Sequence, residues 1–281
     1  MNTRLRGRET EIVVGTEAPL VLIGERINPS GRERLSESLM RGDMSKVRQD
    51  ALAQVSAGAH AIDVNVSAAG VDETRILPLA VTAVGEAVGV PIVIDTSNRE
   101  ALAAALEVCP GKPLVNSVTG EESSLSAVLP LVKSYGCAVI GLCMDDRGIP
   151  KDSDTRLEIA HNIVQAIEEE GIPREDLIVD PLAMTVGAEH TAGLATLEAV
   201  RSIAQELGLN MVYGGSNVSF GMPERSLLNR TYLAMCMAAG VGSVIADPLD
   251  VELRRTVAAC DLLLGHDEFA MRFIQRSRGG W

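Results

Sequence analysis

Short apolar runs, set between longer segments of helical period, make up most of this 281-residue chain. Eight runs rich in Val, Ile, Leu and Ala lie at 20–24, 61–66, 91–95, 113–116, 137–144, 177–180, 211–215 and 242–247. Each is short enough for a strand buried on both faces. Between them, apolar residues recur every three to four positions over 44–58, 73–88, 99–108, 125–135, 154–170, 194–207, 227–239 and 251–264. The first of these segments opens after Asp43, a residue type suited to an N-cap, and stops at Gly58. Strands alternating with helices call for a parallel sheet covered by helices. Eight such units at this length favour a closed (β/α)₈ TIM barrel over an open doubly wound sheet. No G-x-G-x-x-G follows the first strand, which weakens the dinucleotide-binding alternative.

No Pro-, Gly- or Ser-rich linker divides the chain, so a single domain is expected over 1–281. Residues 1–19 read as an N-terminal extension or plug, 20–264 as the barrel and 265–281 as a C-terminal tail. The first twelve residues are charged and expected to be mobile. Residues 12–15 are expected to pair with 20–24 or to plug the barrel. The basic tail at 272–278 (RFIQRSR) reads as a solvated, frayed end, and contact with an acidic partner is its other reading.

Composition narrows the function. Hydrophobic residues at 46% supply a large core, while aromatics at 2% leave little surface for stacking bases. A net charge of −13 argues against nucleic acid or an anionic membrane as the partner. The chain begins without an apolar leader and contains no run long enough to span a bilayer, so a cytoplasmic enzyme is expected. Five cysteines without a C-x-x-C pair, and four scattered histidines, read as free thiols and isolated imidazoles rather than a zinc site.

The strand ends carry the chemistry. In order they read Glu25-Arg26-Ile27-Asn28, Asp63-Val64-Asn65, Asp95-Thr96-Ser97-Asn98, Asn116-Ser117, Met144-Asp145-Asp146, Asp180-Pro181, Ser216-Asn217 and Asp247-Pro248. One Asp there is best read as the cap of the next helix, and Asp145 and Asp247 keep that reading. Eight polar ends together exceed what capping needs, and in a barrel they meet at one mouth. No Lys or His stands among them, so neither a Schiff base nor an imidazole base is suggested. Carboxylates with carboxamides suit a flat heterocycle rich in N–H donors, such as a pterin, because a carboxylate accepts two parallel N–H bonds. A divalent-metal site of Asp63, Asp95 and Asp180 is the competing reading, and spacing does not separate the two.

The ordered set Glu25-Arg26-Ile27-Asn28, Asp63-Val64-Asn65, Ile94-Asp95-Thr96-Ser97-Asn98, Asn116-Ser117, Gly148-Ile149-Pro150-Lys151-Asp152, Ile178-Val179-Asp180-Pro181 and Ser216-Asn217-Val218-Ser219 resembles the methyltetrahydrofolate:corrinoid-protein methyltransferases. These are pterin-binding barrels related to the folate domain of cobalamin-dependent methionine synthase. The resemblance implies a methyl group moving between N5 of 5-methyltetrahydrofolate and the cobalt of a corrinoid (cobalamin). It implies that Asp95, Asn116 and Asp180 hold the pterin and that Asn217 hydrogen-bonds N5 as the methyl leaves. Asn28, Asp63, Met144, Ser216 and Arg225 are implied to line the pocket. A homodimer is implied, and no tightly bound metal.

Two departures stand out: Phe220, where acetogen relatives carry an amide, and the extended N-terminus. No corrinoid-binding D-x-H-x-x-G is present, since His266 is followed by Asp267-Glu268-Phe269. The corrinoid is therefore expected on a separate corrinoid-binding protein. Two rivals remain. A dihydropteroate synthase should place a Lys/Arg cluster at the late strand ends, where this chain has Gly-Gly-Ser-Asn. The other is a non-catalytic folate-binding barrel. Direction of transfer is not set by these residues, since a catalyst lowers one barrier both ways.

Overall fold

The computed structural model describes residues 1–281. Eight parallel strands close into a barrel: β3 (Val21–Ile27), β4 (Ala61–Val64), β5 (Ile92–Asp95), β6 (Leu114–Thr119), β7 (Ala138–Leu142), β8 (Leu177–Asp180), β9 (Asn210–Gly214) and β10 (Ser243–Ala246). β10 pairs with both β9 and β3, and that last pairing closes the ring. The expected TIM barrel is the fold observed. Helices α2 (Ser45–Ser56), α3 (Glu73–Ala87), α4 (Arg99–Val108), α5 (Glu122–Tyr135), α6 (Ser153–Glu170), α7 (Ala192–Glu206), α8 (Arg225–Ala239) and α9 (Val251–Leu263) form the outer ring. No helix is long and apolar enough to cross a membrane.

Successive side chains on a strand point to opposite faces, and here the two faces carry different cores. Leu22, Ile62, Ile92, Ile94, Val115, Val139, Leu177, Val179, Met211 and Val244 point outward into a cluster of 59 buried residues shared with the helices. Val21, Ile23, Ala61, Val93, Leu114, Ala138, Ile140, Ile178 and Val212 point inward and fill the barrel. Both faces are apolar, which is why the strands read as continuous runs rather than alternations.

The N-terminus departs from its expectation only in part: of the two readings of residues 12–15 the plug is the one observed, but the first residues are ordered. Residues 3–6 are not mobile but form β1 (Thr3–Arg6), which pairs antiparallel with β2 (Glu11–Val14) rather than leaving β2 to pair with β3. The hairpin stoppers the barrel at its N-terminal end, with Leu5 and Val14 fully buried in the interior cluster. The Asn210 amide fastens it there, donating to Thr3 Oγ1 at 2.9 Å and to the Val14 carbonyl at 2.9 Å. Leu5 is the single apolar residue of β1 and gives little signal, whereas the Ile12-Val13-Val14 run of β2 is visible in the sequence.

Two helices escaped the sequence pattern. α1 (Glu33–Met40) buries only Leu35, Ser38 and Leu39, too few for a legible period. α10 (Met271–Gly279) covers the basic tail, which is helical rather than frayed although none of its residues is buried. Elsewhere the differences are at boundaries. α7 and α8 begin two residues earlier than their apolar periods, and β7 is shorter than its run.

Candidate functional site

The inward layers of the barrel continue upward into polar residues. Two positions beyond Ile23 is Glu25, beyond Ala61 is Asp63, beyond Val93 is Asp95, beyond Leu114 is Asn116 and beyond Ile178 is Asp180. The period of two that turns Val and Ile into the core thus turns these five side chains into the mouth. The register of β3 against β4 shifts between Gly24 and Ile27, and that of β6 against β7 between Asn116 and Val118. Both irregularities fall at the rim, where they re-aim the side chains around them.

Amides bridge the acids. Asn116 Nδ2 donates to Asp63 Oδ1 at 3.2 Å, and Asn65 Nδ2 donates to Asp95 Oδ2 at 2.9 Å. Asp180 Oδ1 accepts the Leu182 N–H at 2.8 Å. Ser216 Oγ donates to Glu25 Oε1 at 3.0 Å. Burial raises the pKa of all four carboxyls. Asp63 is pushed well above the usual range by burial and then by Asp95 and Glu25 nearby, although its bond from Asn116 opposes the shift. Burial raises Asp95 against the bond from Asn65 and raises Glu25 against the bond from Ser216. Asp180 is pushed up to about 6 by burial, opposed by the Leu182 amide and Arg156. At neutral pH it is ionised at a cost, and ligand N–H donors would repay that cost.

Asn217 sits on the turn after β9, exposed at the rim. Its Nδ2 occupies the space that a side chain on Gly214 would fill, only 2.6 Å from the position of a Cβ there. Gly214 takes the inward step of β9, so the absent side chain is what lets the amide fold over the mouth. Arg225, at the start of α8, donates to Ser219 Oγ at 3.1 Å and to the Ser216 carbonyl at 2.9 Å, bracing the same turn. Beyond it Phe220 is 70% exposed, with the Arg225 guanidinium 5.8 Å from its ring centroid.

The expected site residues are thus placed as follows. Asp63, Asp95, Asn116 and Asp180 share the mouth layer, and Asn217 and Ser216 overhang it. Asn28 is half-buried at the end of β3, its Oδ1 taken by the Ser30 N–H at 3.0 Å in a local turn. Met144 is half-buried past β7, its carbonyl accepting the Gly120 N–H at 2.7 Å. Arg225 is exposed and engaged with the turn rather than with the acids. A cleft of about 410 Å³ opens beside Asp95 and Asn116, lined also by Thr96, Ser117, Thr119 and Leu142, and neither Asp63 nor Asp180 lines it. Asp63, Asp95 and Asp180 do not form a set spaced to share a metal ion.

Three others had no expected site role, although Glu25 and Asn65 stood among the polar strand ends. Glu25 and Asn65 belong to the network, and strand parity marks both. Arg156 does not touch the mouth but is fully buried beneath it. It donates through Nε and Nη2 to the Pro150 carbonyl at 3.0 and 2.8 Å and through Nη1 to Thr196 Oγ1 at 2.7 Å. It thereby pins the loop between β7 and α6.

Known proteins bear on this geometry. The profile of a family described as Pterin binding enzyme matches residues 24–247, the stretch from β3 to the end of β10. A methylcorrinoid:tetrahydrofolate methyltransferase of Eubacterium limosum is 29% identical over 269 residues, 93% of this chain and 97% of that protein. A methionine synthase of Mycobacterium tuberculosis is 29% identical over 249 residues, 84% of this chain. That match spans only 21% of the synthase's length. Among solved structures, a Yersinia pestis DHPS with a pterine-sulfa conjugate superposes with a TM-score of 0.70. It is 17% identical, over 94% of this chain and 100% of that one. At that identity the likeness concerns the fold alone.

Proposed function

Since the chain belongs to the Pterin binding enzyme family, we propose that it transfers a methyl group between N5 of tetrahydrofolate and the cobalt of a corrinoid carried on a separate protein. The observation that carries the reading is the mouth itself: Asp95, Asn116 and Asp180 converge on one layer, and the Asn217 amide is folded over it. The near full-length likeness to a methylcorrinoid:tetrahydrofolate methyltransferase supports the same chemistry. The proposal extends to a homodimer in the cytoplasm.

The residues divide the work. Ionised Asp180 and Asp95 accept paired N–H groups from the amidine-like edge of the pterin, and Asn116 serves its lactam edge as donor and acceptor. Carboxylates raised by burial gain most from such donors, since binding replaces the water they lost. A methyl on a neutral tertiary amine leaves slowly because negative charge builds on the departing nitrogen. A donor at N5 that strengthens as the bond breaks lowers that barrier. Asn217 is assigned that role, because an amide donates without drawing a proton away. Cobalt(I) of the corrinoid supplies the nucleophile.

A dihydropteroate synthase would need free cationic groups at the late strand ends. Arg225, after β9, is engaged with its own turn, and Arg26, which reaches β10 from the neighbouring β3, is engaged with Asp247 at 3.1 Å. Methyl transfer between free cob(I)alamin and 5-methyltetrahydrofolate, followed by the visible spectrum, tests the proposal. Turnover is expected. Tight folate binding without transfer to free or protein-bound corrinoid would contradict it.

A further inference from the structure

Removing a methyl from N5 leaves an electron pair on that nitrogen, and tetrahydrofolate is released with a proton there. Asn217 can orient and polarise, but an amide is a poor source of that proton. Four carboxyls face the mouth, Asp63 and Asp180 buried and Glu25 and Asp95 half-buried, and their partners differ in a way that bears on this question. Asp63 and Asp95 are held by carboxamides, and Asp180 by a backbone N–H. These partners donate and do not pass a proton on. Glu25 alone of the four is bonded to a hydroxyl, Ser216 Oγ at 3.0 Å. A hydroxyl donates and accepts at once, so it can hand on a proton from one side while giving its own to the other. Ser216 immediately precedes Asn217.

Resting on the methyl-transfer reading, we infer that Glu25 and Ser216 form a proton relay to N5. As cobalt(I) gives its electron pair to the methyl carbon, the C–N5 pair stays on nitrogen. N5 takes the hydroxyl proton of Ser216, directly or through a water. Ser216 takes the proton of the Glu25 carboxyl, which is left as carboxylate. In the opposite direction the carboxylate receives the N5 proton by the same path. Atoms and charge balance without a further reactant.

The surroundings suit a group that is loaded and emptied. Glu25 faces Asp247 from the end of β10 and Asp63 from β4, both of which favour its neutral form. Arg26 on its own strand and Arg225 on α8 favour the carboxylate. Burial outweighs the rest and raises the carboxyl above the usual range, so the proton is retained to higher pH than on an exposed Glu.

The test compares wild type with Glu25→Gln, Glu25→Ala, Ser216→Ala and the Glu25→Gln/Ser216→Ala double variant. Demethylation of 5-methyltetrahydrofolate by free cob(I)alamin is followed against pH, beside the folate Kd. Glutamine keeps the acceptor for Ser216 but has no proton to give. Glu25→Gln is expected to lower kcat about 100-fold, in the usual range for positioned acids, while moving the folate Kd by less than about threefold. The alkaline fall in rate assigned to Glu25 should vanish with it. The double variant should be no slower than either single change, as for two links of one chain.

Glu25→Gln turning over as wild type, with only Glu25→Ala impaired, would overturn the relay and leave Glu25 a positioning residue. Separate losses from Glu25→Gln and Ser216→Ala that multiply in the double variant would also overturn it. Either result, with an active wild type, leaves methyl transfer standing. A wild type that binds folate but transfers nothing removes both.

Discussion

Asp180→Asn should make the protein more stable and its folate site weaker, with a pH dependence that identifies the cause. The side chain is 6% exposed, and its Oδ1 accepts the Leu182 N–H, an acceptor that asparagine keeps. What the substitution removes is a buried negative charge. Burial pushes the Asp180 carboxyl up to about 6 in the fold, against 3.8 for an unperturbed Asp. A folded-state pKa above the unfolded one means that the unfolded chain holds fewer protons through this window. Stability is therefore lost as pH rises from near 3.8 towards about 6. At ~1.36 kcal/mol per unit the cost is about 0.5 kcal/mol at pH 4 and about 3 kcal/mol at pH 7.5.

For a chain of this length, an unfolding entropy of about 0.6 kcal/mol/K turns the larger figure into a Tm difference of about 5 °C. Urea unfolding of wild type and variant, followed by circular dichroism from pH 4 to 7.5, measures the gap. Exposed carboxyls that the fold lowers, such as Asp43 and Asp152, act in the opposite sense but cancel in the difference. Folate binding at pH 7.5 should weaken about 10- to 100-fold, the value of hydrogen bonds to a charged group. A stability gap that stays constant with pH, or that narrows as pH rises, would refute the account of Asp180.

Three further substitutions probe the parts that hold the site. Gly214→Ala puts a methyl 2.6 Å from Asn217 Nδ2, so the amide must move, and kcat should fall about 100-fold in a protein that still binds folate; unchanged turnover would show that the amide's position is immaterial. Arg156→Leu strips two donors from the Pro150 carbonyl and should cost about 2–4 kcal/mol in urea unfolding, whereas a loss under about 0.5 kcal/mol would mean the loop is held otherwise. Leu5→Ala, in the stopper at the far end of the barrel, should cost about 2–5 kcal/mol and leave turnover below the melting range unaltered. A Leu5→Ala protein with wild-type stability would mean the hairpin is dispensable.

The barrel was legible in the chain because its strands are buried on both faces. Runs such as Ile92-Val93-Ile94 carry the signal without needing an alternation. The mouth acids were legible for a related reason: a polar residue ending an apolar run stands out. Parity carries more than residue type did, since Val21 and Ile23 lead straight to Glu25, which residue type alone left unassigned. Structure was lost where few residues carry the burial. Leu5 is the one apolar residue of β1, and α1 rests on Leu35 and Leu39 with one serine. Arg156 was hidden for the opposite reason: an arginine within a helical period reads as surface, and the Pro150 carbonyl and Thr196 hydroxyl that explain its burial lie in the preceding loop and on another helix.

The central claim is that Asn217 acts on N5 as the methyl leaves, and one comparison meets it directly. Single-turnover methyl transfer to cob(I)alamin would be measured for wild type and Asn217→Ala, with the folate Kd taken on the same preparations. The account predicts a rate lower by about 100- to 1000-fold, the cost of removing one transition-state donor, with Kd changed only a few-fold. Rate and affinity falling by the same factor, or a rate that does not fall, would contradict it.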